Sequence, residues 1–508
     1  MAAVAGDVGA GGGDARGASD ARAGVAAAQR AARCDLGALL RPARARRLPL
    51  FAPYKMWRLP LQQSNTNPSG QNSFDGIIAS MPTMRFRVLF AIVLLIALML
   101  RIGVVMIVHP GSEQYDRLYL IYDARGYHDL AVIFQKDGIT KEFMDKVAIA
   151  APGYPLLLGV IYRLFGVNLI PPLIANVILS VLTCAIVMLL TRRAFGEPAS
   201  IVAGLLFALH PHSIRFTAIL YSETLFMFIT SVFIFSLLNI HELNKMWWLR
   251  LAGVAAIAAL GAFSRISMLY FSVLAVLVWL LSNNTGWHLK AQRFALFVAL
   301  YLTFLSPWMI YNKIHHDTFK LSISGEYNLL ALVVASARAD DIDTFHKVKN
   351  ELINSAYERA KQDGVEDIFK TSPYFLDRAI EEINKDVGGF IWSQIKGVFN
   401  FWFRPVQAQS SRVSELVQSG RAIVYYIYYS YVSQLILFLA WIALFFDKGK
   451  IPTPWKVLSV VAVIYFAFTV GNAAYSRFFL HALPYIIPIA AASLVSFQDQ
   501  ISRLIAKK

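Results

Sequence analysis

The chain has 508 residues, 57% of them hydrophobic and only 16% charged, with a net charge of +16 from 48 Lys and Arg against 32 Asp and Glu. So few charges exclude an ordinary soluble enzyme, and so much apolar surface excludes a disordered protein. Two cysteines, Cys34 and Cys184, exclude a disulfide framework or a cysteine metal cluster. The basic total does not call for nucleic acid, because much of it lies in the first fifty residues and in short loops between apolar runs, where the positive-inside bias of a membrane protein explains it more simply.

Residues 1–50 are chiefly Ala, Gly and Arg without apolar periodicity and read as disordered. An over-long start is the simpler reading, since Met56, Met81 and Met84 all precede the first apolar run. That run, Val88 to Val108, is long enough to span a bilayer and is not followed by a signal-peptide cleavage site. Further apolar runs fall near 154–166, 170–191, 198–214, 217–240, 251–264, 267–282, 294–311, 422–446, 455–474 and 479–497. Polar stretches at 109–151 and 313–420 interrupt them.

The loop cations set the orientation. Arg85, Arg87, Arg192, Arg193, Lys245, Arg250, Lys290, Arg293, Lys448, Lys450, Lys456, Arg503, Lys507 and Lys508 belong inside, with both termini. The polar stretches and the neighbourhoods of Arg215, Arg265 and Arg477 then lie outside. Parity allows 152–193 a single net crossing, so one of its two runs is a half-membrane or re-entrant helix. The fold expected is an all-α, polytopic membrane protein of about ten transmembrane helices with juxtamembrane helices in its external loops. Its divisions are a tail at 1–84, a transmembrane module at 85–312 including the loop 109–151, a large external loop at 313–421 and C-terminal helices at 422–508. Within the external loop, Ile342 to Ala360 and Tyr374 to Ile383 have amphipathic helical patterns, and the aromatic segment 388–405 suits a helix lying in the interface. No Walker loop, dinucleotide fingerprint, HExxH or fixed-period repeat is present.

An ionisable residue at a membrane boundary is costly unless paired or wet, which makes four places candidate sites. Asp123 opens a helix whose apolar face is Tyr127, Leu130, Ala131 and Phe134, and it also reads as a plain N-cap. Pro152, Gly153, Tyr154 and Pro155 fix the entry of the next run. His210 and His212, with Glu223, bracket an external turn, as metal ligands or, more simply, as wet interfacial histidines. Arg215, Arg265 and Arg477 oppose the positive-inside trend, by interfacial snorkelling or as the cations of a lipid phosphate site.

The order of these pieces resembles the GT-C integral-membrane glycosyltransferases, specifically the bacterial relatives of protein O-mannosyltransferases and of the lipid A aminoarabinose transferase. The resemblance rests on YDARGYHDLA after the first span, APGYPLLLGVIYRLFG (151–166), HPHSIRFTAILYSETLF (210–226), GAFSRISML (261–269), SPWMIYNKIHHDTFKLSISGEYNLL (306–330) and SRFFLHALPYIIPIAAA (476–492). Two departures stand out. Relatives often have Arg-Asn after the Pro-Trp, where this chain has Tyr311-Asn312, leaving Lys313 as the substitute cation, and Ala124 follows Asp123 where many relatives pair two acids.

The resemblance implies an inverting transferase that moves one sugar from a polyprenyl-phosphate donor to a lipid-linked glycan or protein acceptor, on the periplasmic face of a bacterial inner membrane. Asp123 would be the catalytic base, Arg477 the partner of the carrier phosphate, and Arg265, Glu223, His128 and Tyr154 would line the cavity. The resemblance fixes no cofactor and leaves room for a divalent metal; the other partners are membrane lipids, with no nucleic acid. An O-antigen ligase or polymerase would share this chemistry, and a secondary transporter or flippase of lipid-linked sugars would share the composition.

Overall fold

The computed structural model describes residues 83–240, 246–282, 285–339, 341–404, 421–446, 449 and 451–505. The tail 1–82, the segment 405–420 and the cations Lys245, Lys448, Lys450, Lys507 and Lys508 lie outside the described residues. Every regular element among the described residues is helical, as the apolar runs predict.

The chain opens with α1 (Met84–Ile107), whose N-cap Thr83 accepts a hydrogen bond from the Phe86 amide. Four short helices follow: α2 (Glu113–Leu118), α3 (Asp123–Asp137), α4 (Lys141–Val147) and α5 (Gly153–Phe165). Helix α5 has 13 residues, about 20 Å at 1.5 Å per residue, and cannot cross a 30 Å core. It packs along α3, burying Leu130 and Ala131 of the predicted apolar face, while α6 (Ile170–Phe195) is long and apolar enough to cross. By length, α5 is the one of the two runs that fits the expected half-membrane helix.

Helix α7 (Glu197–Ala208) ends early because the chain turns at His210 into α8 (Pro211–Arg215). Then come α9 (Glu223–Asn239), α10 (Trp247–Ser264), α11 (Ser267–Leu281) and the 30-residue α12 (Trp287–His316), which continues through Pro307. The external segment holds α13 (Ser324–Asn328), α14 (Ile342–Gln362), α15 (Ser372–Lys385) and α16 (Val387–Phe403), close to the expected bounds. The chain closes with α17 (Arg421–Ile442), α18 (Thr453–Phe468), α19 (Ser476–Phe479) and α20 (Leu483–Ile505). Among the described residues five helices are long and apolar enough to cross a membrane, and six more apolar helices are shorter. The chain is an all-α, multi-pass membrane protein.

Residues assigned to one side of the membrane meet at one end of the bundle. Glu197 accepts hydrogen bonds from Thr83 and from Arg192. At the same end Phe195 packs on Trp455 (5.5 Å between rings), and Arg293 lies 5.6 Å from the Trp247 ring. The external segment has its own apolar cluster, including Phe345, Leu352, Ala356, Phe369, Phe375 and Ala379. It is stitched to the first external loop, since Ser322 Oγ and the Ile323 amide both donate to the Ala148 carbonyl, at 2.7 and 2.9 Å.

Candidate active site

Four charged side chains from four sequence motifs converge at the other end of the bundle. Asp123 is the first residue of α3, Glu223 the first of α9, Arg265 follows the last residue of α10, and Arg477 lies in α19. Arg477 Nη2 lies 2.7 Å from Asp123 Oδ2, and Arg477 Nε donates to Glu223 Oε1. Arg265 Nη1 donates to the same Glu223 oxygen at 2.8 Å and to Ser222 Oγ at 3.0 Å. Glu223 is therefore shared by two guanidiniums, and Arg477 by two carboxylates.

Local structure explains how each group reaches this point. Asp123 follows Tyr122, whose φ of 51° is the left-handed conformation that L residues avoid; such strain clusters at functional sites. Tyr122, not Asp123, holds the N-cap position, and no side chain caps this helix. The N-cap reading of Asp123 is thus corrected: its carboxylate is spent on Arg477 rather than on backbone amides. Gly153, at the start of α5, approaches the α10 backbone so closely that a Cβ there would come 2.8 Å from the Phe263 carbonyl oxygen, two residues before Arg265. The proline–glycine motif at 152–153 thereby seats the chain that carries Arg265.

The environments of the two acids differ. Glu223 is fully buried, whereas Asp123 keeps 52% of its side chain exposed beside an Arg477 side chain that is 9% exposed. Burial pushes the Asp123 carboxyl up, but the charge and hydrogen bond of Arg477, with smaller contributions from Arg265 and Lys349, outweigh it and hold the group below its ordinary value. Arg477 is held well above its ordinary value: burial opposes the charge, and Glu223 and then Asp123 more than compensate. The site thus offers one accessible, ionised carboxylate above an inner balanced network.

The remaining predicted residues lie further out. Tyr154 is buried behind Tyr127, ring edge to ring at 5.3 Å, with its hydroxyl 3.2 Å from Asn176 Nδ2. His128 faces sideways and hydrogen-bonds the Tyr162 hydroxyl at 2.8 Å. Lys313 pairs with Asp317 at 2.6 Å on an exposed surface rather than turning to the cluster. His210 and His212 are fully buried, not wet, which overturns the interfacial reading. His210 stacks on Phe479 and His212 Nδ1 lies 2.8 Å from the Tyr426 hydroxyl, both partners supplied by the far end of the chain.

The sequence reading missed several neighbours. Tyr221 lies under Arg477, 4.1 Å from ring to guanidinium, and Tyr475 reaches the same guanidinium. Their positions two residues before Glu223 and two before Arg477 were the available signal. Arg101 was hidden inside the first apolar run. It is fully buried and donates to Ser180 Oγ (2.7 Å), the Ala97 and Ala208 carbonyls (3.1 Å each), the Phe207 carbonyl (3.3 Å) and Ser213 Oγ (3.1 Å), pinning the 207–213 turn.

Among the described residues no three His, Cys, Asp or Glu side chains converge on a metal position. The two acids of the cluster are bridged by Arg477, a donor set that suits a guanidinium rather than a resident divalent ion.

Residues 150–311 match the family described as dolichyl-phosphate-mannose-protein mannosyltransferase, a stretch that includes Gly153, Tyr154, Glu223 and Arg265. No curated protein matches the chain. Among solved structures, the oligosaccharyltransferase AglB from the archaeon Archaeoglobus fulgidus, in complex with an inhibitory peptide and a dolichol-phosphate, is similar at 12% identity and a TM-score of 0.47, with 84% of this chain and 52% of that chain covered. The chain thus spans about half the length of that protein. ArnT from Cupriavidus metallidurans, bound to undecaprenyl phosphate, is similar at 14% identity and a TM-score of 0.38, with 84% and 81% covered. The family match over 150–311 bears out the resemblance of this chain to the GT-C integral-membrane glycosyltransferases.

Proposed function

We propose that the chain transfers a single sugar from a polyprenyl-phosphate carrier to an acceptor hydroxyl, with inversion, at the periplasmic face of a bacterial inner membrane. The observation that carries this reading is the half-exposed Asp123 carboxylate, held by Arg477 over a fully buried Glu223 that also holds Arg265. The acceptor oxygen attacks the anomeric carbon while its proton passes to Asp123. The bond from that carbon to the phosphate oxygen breaks, and its electron pair leaves with the phosphate. A phosphate leaving group needs cations rather than a general acid, and Arg477 and Arg265 are the guanidiniums at hand. No step uses a metal.

Asp123 is ionised at neutral pH but a weak base while Arg477 neutralises it, so carrier phosphate competing for Arg477 would raise its basicity where and when the donor is bound. The loop cations support the orientation, and the polar stretch that begins at 313 would cover the site or hold the acceptor. A lipid-linked glycan is the acceptor class that fits a site at the membrane surface.

The test is transfer from labelled polyprenyl-phosphate sugars to a membrane glycolipid extract by the purified protein in detergent. Label should enter the glycolipid fraction. Transfer only from lipid-diphosphate oligosaccharides would favour a ligase or polymerase, and movement of lipid-linked sugar across vesicles without transfer would favour a flippase.

A further inference from the structure

Arg477 joins the two acids of the site, yet its own helix is too short to hold it in place. Helix α19 has four residues, and so few make no stable helix by themselves. Arg477 must nevertheless meet Asp123 Oδ2 at 2.7 Å and reach the buried Glu223. The grip comes from outside, from a helix that the mechanism does not use.

One face of α16 holds the chain on both sides of Arg477. Gly397, Asn400 and Phe401 are spaced i, i+3, i+4 and therefore share that face. Upstream of Arg477, a Cβ at Gly397 would lie 2.9 Å from the Gly471 Cα and closer still to its carbonyl, so only glycine lets the two backbones touch. Gly471 has a φ of 58°, and a Cβ there would come 2.9 Å from Gln394 Nε2, one turn earlier on α16. Asn400 Nδ2 donates to Asn472 Oδ1 at 2.9 Å and to the Asn472 carbonyl at 3.1 Å. Asn472 Nδ2 in turn donates to the Ser336 carbonyl at 3.1 Å, two residues past the π-helical turn Leu329–Val334. Downstream of Arg477, Phe401 and the adjacent Trp402 pack on Phe479, with ring centres 5.4 and 5.1 Å away. Two glycines and two asparagines bury little apolar surface; what they fix is distance and direction.

We propose that α16 is the support that sets the position of Arg477, with Gly397 and Asn400 as its positioning residues. The assignment rests on the reading of Asp123 as base and Arg477 as its partner, and it names what keeps the two in register. Neither positioning residue lies among the reacting groups; a displacement of α16 reaches them through the 471–477 segment. Asp123 reports such a displacement. Burial raises its carboxyl, and Arg477, then Arg265 and Lys349, lower it, so a looser Arg477 lets it titrate higher.

The experiment records pH–rate profiles of sugar transfer and melting curves for the full-length protein in detergent, as wild type, Gly397→Ala, Asn400→Ala, Gly388→Ala, Arg477→Gln and the double variant Gly397→Ala, Arg477→Gln. Gly397→Ala should lower turnover by about tenfold or more, since a misplacement of about 1 Å can cost a hundredfold, and should move the acid limb to higher pH as Arg477→Gln does. Asn400→Ala should do the same to a smaller extent. Gly388→Ala makes the same change on the same helix where a Cβ meets only Asp386 Oδ1, at 3.7 Å, and its profile should match wild type. Added to Arg477→Gln, Gly397→Ala should move the limb no further, because its effect runs through the missing guanidinium. Where Arg477→Gln moves the limb, the support role alone would be overturned by an unmoved limb in Gly397→Ala or, if that variant does not fold, in Asn400→Ala. An equal shift in Gly388→Ala or a further shift in the double variant would overturn it as well. A limb that Arg477→Gln leaves unmoved would overturn the Asp123 reading, and the support role with it.

Discussion

Two of this protein's carboxylate–guanidinium pairs, one in the external segment and one in the site, do different things. In the external segment Arg359 pairs with Glu381, both sides nearly half exposed and only 22 residues apart, and Arg378 reaches the same Glu381 three residues on. In the site Glu223 is fully buried, its partner Arg477 lies 254 residues away, and one guanidinium serves two acids. Exposed pairs between neighbouring helices are worth little, because water screens them and long side chains lose freedom. A buried pair that ties distant segments is expensive to break, since the surviving partner is left charged in a dry place. The difference is one of burial and sequence separation: the pair at the meeting point of α3, α9, α10 and α19 is dry and long-range, whereas Arg359–Glu381 is wet and local.

The comparison can be broken at either end. Glu223→Gln should have the largest effect, on the order of 3–5 kcal/mol of stability, because it leaves Arg265 and Arg477 without their shared anion. Denaturation in detergent reads it, and a loss below about 1 kcal/mol would place this pair with the surface ones. Arg477→Gln should move the acid limb of turnover to higher pH. The Asp123 carboxyl lies below its ordinary value because Arg477, with Arg265 and Lys349, outweighs burial, so its contribution is present at neutral pH and lost only as pH falls below the usual carboxylate range, about 3.9. Removing Arg477 takes away the main opposing contribution, so the group titrates higher. A pH–rate profile identical to wild type would show that Asp123 is not the titrating group. Arg359→Gln should cost less than about 1 kcal/mol and leave turnover unchanged. Deleting residues 1–80, whose composition supports no packed core, should have the smallest effect on insertion and activity. Inserted protein without turnover would give that tail a role.

Much of the scaffold was legible because it is local. The face of Tyr127, Leu130, Ala131 and Phe134 announced α3 and put Asp123 at its first residue, and the 13-residue run after Gly153 announced a helix too short to span. The lone arginines announced an external site through their breach of the loop-charge rule. Their pairing was not legible, because Asp123, Glu223 and Arg477 are joined only by the packing of distant helices and share no period. The same cause misled the reading of His210 and His212. As a short polar turn they look wet, but Phe479 and Tyr426 close over them from the end of the chain. Nor does any residue type announce the positive φ of Tyr122; only the folded loop imposes it.

The central claim is that Asp123 takes the proton of the acceptor, and Asp123→Asn tests it most directly. Asn keeps the size and a hydrogen-bond acceptor for Arg477 but cannot serve as a base. Transfer rate and melting temperature should be measured beside Asp129→Asn, whose carboxylate pairs only with Arg125 on the exposed side of the same helix. Turnover of Asp123→Asn should fall by about a hundredfold or more with the melting temperature near wild type, and Asp129→Asn should be nearly silent. Retained turnover in Asp123→Asn, or a collapse in Asp129→Asn alone, would contradict the mechanism.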